Sequence, residues 1–335
     1  MKKLNLENSN QRDILGAQLW ELDISFDKSI FSNCLDQLNQ ELENKNLLVR
    51  PKVWLSDDWF CPDSISGIAI PFTLMHPRLI ALERQYIGHV EGETRDWFMK
   101  LMRHECGHVM DNAYFLKDEQ RRKSIFGDHD KRYPNSYIPK VFSKNYVYHL
   151  EDHYAQAHPE EDFAETFATW LTPRSNWRNI YENWPALTKL KYVDSQMKSL
   201  RGKKPNVVCY KEVDSIEEST LTVAEYLQLK KKRLRKQSLT RRSLKHIESY
   251  LNDNSTTGTD LRVVLKNNRQ KLIRNIALKT NTYQYKIDSV VKDLENITSV
   301  KKLYIPNERG TQNLEKLLLS HTKKFFTEGR DRIIM

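Results

Sequence analysis

The stretch RHECGHVMDNAYF, Arg103 to Phe115, decides how the rest of the chain is read. It contains His-Glu-x-x-His, and on a helix residues four apart lie on one face, one turn above the other. His104 and His108 can therefore offer two imidazoles to one tetrahedral zinc ion, each at about 2.0–2.1 Å. Glu105, beside the first histidine, is placed to take a proton from a water activated by that metal. The five-residue pattern also arises by chance, and a histidine pair on a half-apolar helix is often ordinary packing. Further ligands are needed.

A catalytic zinc takes three protein ligands and leaves one position open. A third histidine six residues after His108 would fall at position 114, which is Tyr114. The remaining route is a carboxylate from a second helix. AHPEEDFAETFATW, Ala157 to Trp170, supplies Glu161 and Glu165 four residues apart on one face. We assign Glu161 as the ligand and Glu165 as the group holding the ring N–H of a ligand histidine. Asp162, adjacent to Glu161, competes for the ligand role. Without the histidine pair these acids would read as a solvated first turn matched to the helix dipole.

Outward from the two helices, Asp27 to Asn46 carries Ile30, Phe31, Cys34, Leu35, Leu38 and Leu42 as one apolar stripe, which predicts an amphipathic helix. Leu47 to Leu55 predicts a strand. GIAIPF, Gly67 to Phe72, is short and closed by proline, so it predicts an edge strand available to an extended substrate. Pro77 predicts the start of a helix. The helix carrying the histidines starts near Thr94, and the one carrying the glutamates runs from Pro159 to before Pro173. Residues 120–157 read as loop with short helices. TVAE, Thr222 to Glu225, is a capping box that opens a helix running into a basic segment.

HECGHVMDNAY followed by HPEEDFAETFATWLTP resembles a bacterial family of zinc-binding metallopeptidases. WLSDDWFCPDSISGIAIPFTLMHPRL and WPALTKLKYVD extend the likeness to roughly residues 45–200. A more distant similarity is to the catalytic domain of anthrax lethal factor. The resemblance implies the glutamate-zincin architecture, in which Glu161 would bind zinc and Glu165 would support a histidine. It also implies a tyrosine seven residues before the ligand glutamate, here Tyr154, whose phenol would donate to the oxyanion formed when water attacks a carbonyl. Asp111, three residues past His108, reads either as a hydrogen-bonding group near the site or as a solvating residue of the helix. His149, His153 and His158 flank Tyr154 and read as structural or solvent-facing. Cys106, two residues from each histidine, reads as a small core residue.

Composition sets the surroundings. The net charge of +10 is uneven: residues 201–335 hold 29 Lys/Arg against 15 Asp/Glu, and the first 200 hold 25 against 29. The break at RGKKPN, Arg201 to Asn206, suggests two domains, 1–200 and 201–335. The run KKKRLRKQSLTRR, Lys230 to Arg242, lacks interleaved aromatics and reads first as a solvated helix face. Nucleic-acid binding through 201–335 is a secondary possibility. Four dispersed cysteines suit a reducing compartment. The opening MKKLNLENSNQRD has no apolar segment, and no window is apolar enough to span a membrane, so a cytoplasmic protein is expected.

The expected fold is α+β and predominantly helical: a zincin-like core, a small N-terminal αβ lobe and a basic helical C-terminal extension. The expected activity is zinc-dependent hydrolysis of a peptide bond in a peptide or protein substrate. A zinc-holding scaffold without turnover, binding nucleic acid or a partner protein through 201–335, is the alternative. A hydrolase acting on a non-peptide amide is a further one.

Overall fold

The computed structural model describes residues 3–134, 136–235, 259–280, 282, 284–300, 303–305, 310–327 and 333–334. It is a mainly helical α+β structure. Its contacts divide the chain into two units, Met1–Lys232 and Arg233–Ile334.

The first unit opens with a short helix, α1 (Gln11–Gly16), capped by Asn10, whose side chain accepts from Asp13 N–H. The amphipathic segment after Asp27 becomes helical only at α2 (Cys34–Asn44). Before it, Phe26–Lys28 is a 3-10 turn. The cause is local: the Ser29 hydroxyl donates to Phe26 O at 2.7 Å and accepts from Phe31 N at 3.2 Å, competing with the helical pattern. Ile30 is accordingly exposed, off the predicted stripe.

β1 (Lys52–Ser56) and β2 (Gly67–Pro71) pair in parallel, with Lys52 opposite Gly67 and Ser56 opposite Pro71. GIAIPF is the margin of a two-stranded sheet, as expected, but its availability to an extended substrate is corrected here. β2 is buried along its whole length, and on the side away from β1 the Ala69 N–H donates to Phe60 O at 2.9 Å. Its run of apolar residues reflects burial on both faces rather than a free margin. The strand is not open to a substrate.

α3 (Pro77–Ile87) starts with Pro77 at its first position and stops at Gly88, whose φ of 103° closes the last turn. α4 (Arg95–Tyr114) is the central helix. Thr94 caps it by accepting from Trp97 N–H, and Phe115 ends it in the left-handed region. α5 (Gln120–Phe126) follows, then a long connection to α6 (Pro159–Leu171), α7 (Trp177–Ile180) and α8 (Ala186–Ser199). The main core joins Met102, Cys106, Val109 and Met110 of α4 to Phe163, Phe167 and Trp170 of α6. Leu38 and Leu42 of α2 and Leu190, Val193 and Met197 of α8 complete it.

The charge break at 201–206 does not end the first unit. Asn206 N–H donates to Ala113 O at 2.8 Å, and the indole of Trp54 donates to Val213 O at 2.9 Å. α9 (Val223–Arg235) starts with the Thr222–Glu225 capping box, and Val223, Tyr226 and Leu227 join a core with Leu19, Phe72 and Leu79. From Lys236 onward the run KKKRLRKQSLTRR lies outside the described residues.

The second unit has α10 (Leu261–Thr280), α11 (Gln284–Val300) and α12 (Gly310–Thr327) around its own core of Leu265, Ile276, Val291, Leu294, Leu314 and Leu318. Arg269 ties α10 to α11 through Asp288 and Glu295, each at 2.6 Å. No helix among the described residues is long and apolar enough to cross a membrane.

Candidate metal centre

The site begins where α4 and α6 touch. Gly107 lies opposite Ala164, and a Cβ at position 107 would stand 2.7 Å from the Ala164 Cα. No side chain fits there, so the two backbones come into direct contact. His104 and His108 on α4 then face Glu161 and Glu165 on α6.

His104 Nε2 lies 3.0 Å from Glu161 Oε2, His108 Nε2 lies 3.4 Å from the same oxygen, and the two Nε2 atoms are 3.3 Å apart. On a tetrahedral centre with bonds of about 2.0–2.1 Å, neighbouring donors stand about 3.3–3.4 Å apart. The donor set and its spacing therefore fit zinc. His104 Nδ1 donates to Glu165 Oε1 at 2.9 Å, and Glu165 Oε2 accepts from Leu150 N–H at 2.9 Å. Glu165 is 0% exposed, His104 2% and Glu161 5%. Three ionisable groups this deep, with the half-buried His108 beside them, need charge compensation.

The electrostatics call for a cation. Burial disfavours a charged His104, but its hydrogen bonds to Glu161 and Glu165 overcome this and hold it well above the ordinary histidine range. His108 follows the same pattern, raised by Glu161 against burial. Burial pushes Glu161 up, yet the two imidazoles hold it well below the usual carboxylate range. Positive charge between the rings and the carboxylate is thus strongly favoured, and a divalent metal supplies it without protons on the rings.

Asp162 points elsewhere: its Oδ2 pairs with Lys189 Nζ at 2.6 Å. Asp111 pairs with the buried guanidinium of Arg122, which stacks 4.1 Å over Phe163, and does not bond a histidine. Burial pushes the Asp111 carboxyl up to about 6.

Glu105 lines the same cleft, a space of about 300 Å³ walled by Trp59, Phe60, Cys61, Asp63, Asn112 and Lys117, with Tyr133, Tyr154 and Glu160 on the other elements. Burial raises Glu105 above its ordinary range, while His104 and His108 pull it back. The Asn112 amide donates to Pro62 O at 2.9 Å and to Ile65 O at 3.0 Å, tying the cleft wall to α4.

The Tyr154 ring lies 5.5 Å from that of His104. Asp152 and His153 just before it both adopt left-handed backbone, and the turn places Tyr154 on the wall of the cleft with His104, His108 and Glu161. Among the described residues its hydroxyl has no hydrogen-bond partner, and burial holds the phenol well above its ordinary range, so it stays protonated. His149 bonds Lys100 O at 3.0 Å, and His158 caps α6 through Glu160 N–H at 3.3 Å; both are structural. His153 lies beside Tyr148.

Sequence reading missed two residues. Gly107 was visible as a glycine inside a helical pattern, which signals close packing. Tyr133, whose hydroxyl lies 2.8 Å from Glu161 Oε1, comes from an irregular segment whose spacing carries no signal.

No curated protein and no solved structure matches the chain, so the likeness to the lethal factor catalytic domain gains no support. Residues 86–236, which include the helices carrying His104, His108 and Glu161, match the model of the family described as "Putative zinc-binding metallo-peptidase", and the match supports zinc as the cofactor.

Proposed function

We propose that the chain is a zinc metallopeptidase of the glutamate-zincin type that hydrolyses peptide bonds. The meeting of His104, His108 and Glu161 from two helices, with Glu105 in the same cleft, carries this reading. Zinc held by these three residues would polarise a scissile carbonyl and acidify a water. Glu105, which burial holds above its ordinary range, takes the water proton during attack and passes it to the leaving amine. Tyr154 donates its free hydroxyl to the oxyanion that develops on the carbonyl. Glu165 fixes the His104 tautomer by accepting from Nδ1. Asp111 acts less directly, by holding Arg122 over the Phe163 ring of α6. The residues of this reading all fall in the first of the two units.

The test is Glu105→Gln, assayed on a peptide library with zinc content measured in parallel. General-base loss predicts a rate lower by about 10²–10⁴-fold with zinc retained. Full activity in the zinc-loaded variant would remove Glu105 from the mechanism.

A further inference from the structure

The Glu161 carboxylate has two oxygens in different surroundings. Oε2 faces His104 and His108, while Oε1 accepts from the Tyr133 hydroxyl at 2.8 Å. The same hydroxyl lies 2.8 Å from Glu160 Oε2, so one phenolic proton is shared between neighbouring carboxylates. The Tyr133 ring stacks on His158, centroids 3.8 Å apart and planes 19° from parallel. His158 is itself fixed. Its Nδ1 accepts from Glu160 N–H, which leaves Nε2 as the protonated nitrogen, and Nε2 donates to Lys131 O at 2.7 Å. The segment carrying Tyr133 is thus held to the first turn of α6 by a stack, a backbone contact and the phenol.

We propose that Tyr133 is a positioning residue for the metal ligand, holding Glu161 so that a single oxygen, Oε2, is presented to zinc. This rests on the reading of His104, His108 and Glu161 as the ligands. A glutamate side chain has several rotatable bonds, and tying its outer oxygen removes the rotations that would withdraw the inner one or turn both toward the metal. The two phenols of the cleft then divide their work. The Tyr133 hydroxyl is committed to the ligand carboxylate, while the Tyr154 hydroxyl remains available to substrate.

Tyr133→Phe removes the hydroxyl and keeps the ring on His158. Zinc affinity is measured by competition with a chromophoric chelator for the wild type, Tyr133→Phe, Tyr154→Phe and Glu161→Ala, alongside thermal unfolding of each metal-free protein. Loss of the supporting hydrogen bond predicts zinc binding weaker by about 10–100-fold in Tyr133→Phe, with an unchanged metal-free melting point and with Tyr154→Phe close to wild type. A Tyr133→Phe affinity within about twofold of wild type overturns the proposal, as does an equal loss in Tyr154→Phe. Wild-type affinity in Glu161→Ala would instead overturn the ligand assignment on which the proposal rests.

Discussion

At the scale of single residues, the site depends on two glutamates one helical turn apart doing different work. Glu161 offers an oxygen to the space between the imidazoles, and Glu165 holds His104 from behind while accepting from the Leu150 backbone. Glu165→Ala should therefore weaken zinc binding by about 10–100-fold without abolishing it, readable by chelator competition. Unchanged affinity would show that His104 needs no support. The pH dependence follows from the same contacts. In the metal-free protein His104 is raised well above its ordinary value, so its stabilising hydrogen bonds count fully below about pH 6.5 and are lost as pH rises through the raised folded value. Zinc needs the neutral ring. The gain in melting temperature on adding zinc should thus be larger at about pH 8 than at about pH 6, measured by calorimetry; an equal gain would contradict the proton–metal competition.

At the scale of elements, the meeting of α4 and α6 is set by Gly107 more than by the ligands. Gly107→Ala gains about 1 kcal/mol of helix propensity, but its Cβ would meet backbone at 2.7 Å, which no side-chain rotation relieves. Overpacking of about 1–3 kcal/mol should prevail, giving a lower melting point together with weaker zinc binding. A more stable variant with normal zinc affinity would refute the close approach as the organising contact. α4 is also tied to α2 by a buried bidentate pair, Arg103 with Glu41, both contacts at 2.7 Å. Glu41→Ala leaves that guanidinium without its partner and should cost about 3–5 kcal/mol in denaturant unfolding. A cost under about 1 kcal/mol would mean that water reaches Arg103. Both helices were legible in the sequence, because Thr94, Pro159 and the three- and four-residue periodicity mark their starts and faces. The strand environment was not. GIAIPF read as an open edge because a proline closes it, whereas the nearby Phe60 loop and the far segment around Cys209 cover it.

At the scale of the molecule, local pattern and long-range contact separate in the same way. The charge break near Arg201 is real in composition, yet the chain continues across the first unit to α9, because Val213, Asp214 and Tyr226 bond residues 54–57. The meeting of His104, His108 and Glu161 was readable because a metal-binding pattern imposes a spacing. Tyr133 was not, because loop geometry leaves no period. Each unit has its own core. A chain ending at Arg235 should therefore fold and bind zinc with wild-type affinity, by calorimetry and chelator competition; loss of binding would place part of the site in the second unit. The claim on which all of this depends is that one carboxylate of the α6 first turn completes the metal site. Metal analysis of the wild type beside Glu161→Ala and Asp162→Ala tests it most directly. Stoichiometric zinc in the wild type and in Asp162→Ala, with none in Glu161→Ala, is the predicted result. Zinc retained by Glu161→Ala and lost from Asp162→Ala would contradict it.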